Sequence, residues 1–73
     1  MKACILIRAQ PGKASAVLTA VRKLPGVKKA HLVLGRYDVI VLAEVPDYEA
    51  AKKLTAKINS IKGLKSSESL IEA

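Results

Sequence analysis

The sequence holds no phenylalanine and no tryptophan, and only two tyrosines. Plaits that bind single-stranded RNA stack bases on aromatic side chains of their central strands. Here Tyr37 falls in a loop and Tyr48 at a helix start, while the apolar strands are aliphatic. That excludes base stacking as a mode of action. Cysteine is nearly as scarce. Cys4 stands alone, so no intrachain disulfide forms, and no Cys-x-x-Cys pair follows the first strand. Cys4 itself reads as a small buried hydrophobe within that strand. No cofactor and no metal are implied. The one histidine, His31, has no acidic neighbour in sequence and no nucleophile beside it, so no catalytic constellation is present and the chain is not expected to be an enzyme. Long apolar runs are missing too. Ile5-Leu6-Ile7 is interrupted at once by Arg8, too short for a signal peptide core, and nothing approaches the roughly 20 residues of a membrane span. No membrane is expected to be involved, and a reduced, cytoplasmic setting is expected.

What remains is a chain of 73 residues, enough for one domain spanning residues 1–73. A domain this short buries only about 60% of its unfolded surface. Small domains gain the missing stability from disulfides, metals or self-association, and only the last is open here. The net charge is +7, from 13 Lys and Arg against 6 Asp and Glu. Arg22, Lys23, Lys28 and Lys29 cluster near the end of one helix, and Lys57, Lys62 and Lys65 near the end of another. Cations there complement the negative end of the helix dipole, so a solvated surface accounts for them. A basic protein that binds nucleic acid non-specifically through Lys alone stays open as an alternative. Nothing precedes the first strand that could act as a recognition helix, so no direct sequence-specific DNA binding is expected.

The organisation is a repeated strand, helix, strand. The first strand is read over Ala3–Ala9 and is broken by Gln10-Pro11-Gly12. Helix one follows from about Lys13 to Leu24, with Ala14, Val17, Leu18 and Val21 on one stripe. Pro25-Gly26 ends it. Strand two is read over Val27–Leu34, then the loop Gly35-Arg36-Tyr37-Asp38, then strand three over Val39–Val45. Pro46 stops that strand, and Asp47 caps a second helix whose stripe is Ala51, Leu54, Ile58 and Ile61. Lys62-Gly63 ends it, and strand four runs from Leu64 to about Ile71. The order βαββαβ predicts an α+β, ferredoxin-like plait: a four-stranded antiparallel sheet with both helices on one face.

Two helices cover one sheet face. Yet strand three is apolar on both sides, with Val39, Val41, Ala43 and Val45 against Ile40 and Leu42. Strand one repeats this, with Ala3, Ile5 and Ile7 against Cys4 and Leu6. One aliphatic face is therefore left over, and such faces mark interfaces. A second copy of the chain is its simplest cover.

The segment His31-Leu32-Val33-Leu34-Gly35-Arg36-Tyr37-Asp38-Val39 resembles the signature hairpin of the Lrp/AsnC effector domain, H-x-V-T-G-x-Y-D followed by an aliphatic residue. Leu24-Pro25-Gly26-Val27 and Ile61-Lys62-Gly63-Leu64 resemble that family's P-G-V elements. Ser66-Ser67-Glu68-Ser69-Leu70-Ile71 is similar to its S-T-x-T-x-I ending, with serines where threonine is usual. Leu34 replaces the usual threonine beside the loop. The resemblance runs through the whole chain, in register. It implies a transcription-linked sensing and assembly module without a helix-turn-helix. It implies a homodimer, assembled further into tetramers or octamers, with a small amino-acid effector bound between dimers, and co-assembly with full-length regulators. The ligand-binding residues it implies are Gly35, Arg36, Tyr37, Asp38, Ser67 and Ser69. Their chemistry fits: Gly35 allows close backbone approach, Arg36 suits a carboxylate, Asp38 an ammonium, and Ser67 and Ser69 lie two apart on one sheet face. Two readings remain beside it: a tight turn in which Asp38 bonds its own backbone, and a purely structural oligomerisation domain without ligand.

Overall fold

All 73 residues are described by the structure, a computed structural model. The elements run β1 (Lys2–Ala9), α1 (Ala14–Arg22), β2 (Val27–Leu32), β3 (Val39–Glu44), α2 (Tyr48–Asn59) and β4 (Leu64–Ile71). All pairings are antiparallel, and the sheet order is β2-β3-β1-β4. The two central strands, β1 and β3, are the two most aliphatic segments of the sequence. This is the expected ferredoxin-like plait.

Register decides which side chains face the helices. Ile5 lies opposite Val41 and Ile7 opposite Val39. These four are fully buried, and with Ala3, Ala43 and Val45 they floor the core. Above them sit Val17, Leu18 and Val21 of α1 and Ala51, Leu54 and Ile58 of α2. These are the residues that the 3.6-residue spacing brings to one side of each helix. Ala30 is the one fully buried residue of β2.

The two helices start differently. At α2, the Asp47 carboxylate accepts from the Ala50 backbone N–H at 2.8 Å, satisfying one of the donors a helix start leaves free. At α1, Lys13 stands in the cap position without a side-chain bond. The chain enters instead through a turn in which the Lys13 N–H donates to the Gln10 carbonyl at 2.9 Å. Beyond each helix, Gly26 and Gly63 take φ of 88° and 96°. A Cβ on Gly26 would lie 3.1 Å from the Glu44 carbonyl oxygen, and one on Gly63 would lie 3.0 Å from Lys13 Cβ. Both turns need glycine for conformation and for room.

Three expectations are corrected. β2 ends at Leu32, not Leu34, so the hairpin loop spans residues 33–38. Pairing with β3 stops at Leu32 opposite Val39, and Leu34 stands fully exposed in the loop. Helix α1 is also shorter than its periodic stripe suggests. The two residues after it, Lys23 and Leu24, donate to Ala20 and Val21, three positions back, and tighten into the turn. Finally, Cys4 is not part of the core. It alternates with buried Ala3 and Ile5 and lies half-exposed on the opposite face.

Candidate functional site

The face away from the helices carries Cys4 and Leu6 from β1, Ile40 and Leu42 from β3, and Leu70 from β4. Cross-strand pairing sets Cys4 between Leu42 and Leu70, and Leu6 between Ile40 and Glu68. The result is an aliphatic stripe across the middle of an otherwise polar surface. Lys29 and His31 border it on β2, opposite Leu42 and Ile40.

At one end of this face lies the loop of residues 33–38. It is held by five bonds. The Val33 N–H donates to the Asp38 carbonyl at 2.9 Å, and the Asp38 N–H donates to the Ile7 carbonyl at 2.8 Å. The Asp38 carboxylate accepts from the Ala9 N–H at 2.8 Å. The side chain thus takes over where the β3 ladder stops, one step from the register shift at Arg8 and Ala9. Arg8 Nε donates to the Arg36 carbonyl at 3.0 Å. From the loop itself, the Tyr37 hydroxyl donates to the Glu68 carboxylate at 3.0 Å. Arg8 and Glu68 are anchors that sequence reasoning misses. Strand parity is the signal for them, since both alternate with residues that face the helices.

Within this loop the four expected residues differ in role. Gly35 has φ of 126° and no atom within contact distance of where a Cβ would sit, so its backbone is open to approach. The Arg36 side chain is exposed, and only its carbonyl is engaged. Tyr37 and Asp38 are half-buried and occupied within the protomer. Asp38 bonds backbone, but that of Ala9 rather than its own. Removing its carboxylate strands a partly buried N–H. Asp38→Ala should therefore cost about 1–2 kcal/mol, with faster amide exchange at Ala9 and a lower melting temperature. An unchanged melting curve would mean that the loop holds without it.

Ser67 and Ser69 do share a sheet face, and it is the face under the helices. The Ser67 hydroxyl donates to the Asn59 side-chain oxygen. The Ser69 and Thr55 hydroxyls are bonded to each other at 3.1 Å. Ser69 also lines a groove of about 480 Å³ between α2 and β4, with Thr55, Asn59 and Ile71. The fold does not bring these serines to the Gly35–Asp38 loop. Ser67 lies opposite Ile7, which lies opposite Val39, so two strand spacings, roughly 10 Å, separate the two groups. None of the four surface concavities of one protomer is lined by loop residues.

The fold and this surface define a class: a plait with one covered face, one aliphatic face and an anchored glycine loop, and no group of three or more metal-ligating side chains. The chain belongs to the Lrp/AsnC ligand binding domain family, which it matches over residues 2–72. That family is regulatory rather than enzymatic. Among solved structures, the chain is similar to TTHA0845 from Thermus thermophilus, at 31% identity and TM-score 0.90, covering 99% of this chain and 94% of that one. It is similar also to the hypothetical protein PHS023 from Pyrococcus horikoshii, at 29% identity and TM-score 0.89, covering 99% and 88%. The transcriptional regulator NMB0573 from Neisseria meningitidis, solved as a complex with L-Met, shares the fold at 22% identity and TM-score 0.82. The chain covers 47% of that regulator, about half its length. No curated protein matches the chain. No helix is long and apolar enough to cross a membrane.

Proposed function

We propose that this chain is an effector-sensing assembly module: two copies join through the aliphatic sheet faces, and an amino acid or related small metabolite binds where loops of different dimers meet. The observation that carries the reading is the Gly35–Asp38 loop. It is fixed in shape by five bonds and presents free backbone and an unengaged guanidinium, yet its own protomer gives it no walls. A ligand there needs surface from another copy, which ties sensing to assembly. The L-Met bound in the Neisseria meningitidis regulator supports an amino acid as the effector class. Gly35 and Arg36 would receive the carboxylate. The free oxygen of Asp38 would receive the ammonium, and the Tyr37 ring would form a side wall. Ser67 and Ser69, bonded to α2, would act by fixing β4 beneath the site. Co-assembly with full-length regulators would carry the signal to DNA, with tetramers or octamers as the assembled forms.

Native mass spectrometry tests this directly, on the protein alone and with a pool of the twenty amino acids. A dimer or larger ring that retains one amino-acid mass per site is the expected result. Arg36→Ala should lose that mass while keeping the subunit count, because only the backbone of Arg36 has a structural role. An oligomer that never takes up an amino acid would leave a purely structural module and defeat the sensing reading.

A further inference from the structure

The charge of the chain is divided sharply along its length. Residues 1–37 contain eight Lys and Arg and no Asp or Glu, and all six acidic residues lie beyond. The fold turns this into a spatial division. α1 packs over β2, and β2 is an edge strand. Arg22 at the end of α1 therefore lies beside Lys28, Lys29 and His31 of β2. Between them runs an open groove of about 410 Å³, lined by Arg22, Val27, Lys28, Lys29, Ala30 and His31 and by no carboxylate. The two ion pairs of the structure, Met1 with Glu44 and Lys52 with Glu49, involve none of these cations. Glu44 lines the adjacent hollow, with Lys2, Lys28 and Lys29, and a further one with Pro25 and Lys53, but not this groove.

The helix dipole does not account for this cluster. The last turn of α1 holds one basic residue, Arg22. Lys28 and Lys29 belong to β2, at the bulge where its register with β3 shifts. Arg22 has a further role. Its Nη2 donates to the Ala30 carbonyl at 2.8 Å, and that carbonyl lies on the outer edge of the sheet. A strand added here would lose that acceptor. A second copy added through its own β2 edge would bring two such clusters together. Both facts turn this edge away from pairing with another β2 and toward an anion.

We propose that the outer edge of β2, with the end of α1, docks the phosphate backbone of nucleic acid without regard to sequence. Tight protein interfaces are built on buried aromatic or apolar anchors, and this groove offers only Val27 and Ala30. Phosphate binding needs only fixed cations that displace counterions. The surface is separate from the loop and does not depend on the effector reading.

The test is fluorescence anisotropy of the whole protein with a labelled mixed-sequence duplex of about 20 base pairs. Contacts to about four phosphates predict binding at 50 mM salt that weakens roughly 100-fold by 200 mM. Lys28→Glu with Lys29→Glu should weaken binding at 50 mM by more than about 30-fold. Lys52→Glu with Lys53→Glu, the same charge change on α2, should weaken it less than about threefold. The Lys28→Gln, Lys29→Gln pair gives the same ranking should the glutamates disturb the fold, with circular dichroism and subunit count as checks. Equal losses from the β2 and α2 pairs would overturn the proposal in favour of diffuse charge. Absence of binding at 50 mM would overturn it outright. Competition by polyglutamate as effective as by unlabelled duplex would assign the surface to an acidic polypeptide instead.

Discussion

With copies joined as proposed through the aliphatic faces, Leu70→Arg should leave the protein folded and weaken self-association by at least about 100-fold. That corresponds to roughly 3 kcal/mol, the order of cost of burying a charge without a partner. Leu70 stands beside Cys4 on the aliphatic stripe and is 52% exposed. Leu32 is the matched control. It is 50% exposed, but it pairs with buried Val39 and so lies at the rim of the helix-covered face. Equal exposure on opposite faces separates an interface from an ordinary surface leucine. Leu32→Arg should sediment as the wild type does, whereas Leu70→Arg should move to the monomer across the micromolar range. If both variants behave alike, the stripe is not what joins the copies.

The second large effect concerns the core. Ile58→Ala should lower stability by about 3–4 kcal/mol, because Ile58 is fully buried among β-sheet and α1 residues and truncation leaves a cavity. For a domain of this size, total stability is on the order of 4–10 kcal/mol. The loss should appear as a fall in melting temperature of roughly 12–32 °C. Ile40→Ala, on the open face, should act differently. It should change the melting temperature mainly through the concentration dependence that the proposed self-association would impose. A melting shift for Ile58→Ala below about 5 °C, read at high protein concentration, would show that assembly and not the monomer core sets stability.

The contrast between Ile58 and Ile40 is legible in the sequence. Strict alternation in β1 and β3 tells which residues share a face, and the helix stripes tell which helix residues meet them. Glycine after each helix, Pro46 and Asp47 mark the ends. What the sequence hides is local. Val33 and Leu34 have strand-like side chains, but a strand exists only where a neighbour pairs with it; Val33 keeps a single bond, to Asp38, where the chain turns, and Leu34 has none. Cys4 reads as buried only when residue type is weighed above its place between Ala3 and Ile5. β4 is the least readable element. Its sequence, Leu-Lys-Ser-Ser-Glu-Ser-Leu-Ile, has no apolar alternation. Spacing puts Ser67 and Ser69 together, but nothing in the sequence tells which face they share. The structure puts them under α2, where Thr55 and Asn59 supply partners from a helix face that reads as plain solvent exposure. Arg36 and Gly35 are legible as loop residues. The anchors that hold the loop, Arg8 and Glu68, come from strands far away in sequence.

Those two anchors have a thermodynamic consequence. Arg8 and Glu68 reach the loop from the aliphatic face, the surface a second copy would cover. Docking that copy would dry the surroundings of both bonds and strengthen them. Loop order and subunit contact are then two readings of one equilibrium. Linkage requires that whatever an effector adds to the affinity between copies, assembly returns to the affinity for the effector by the same factor. A titration of either quantity would measure the other.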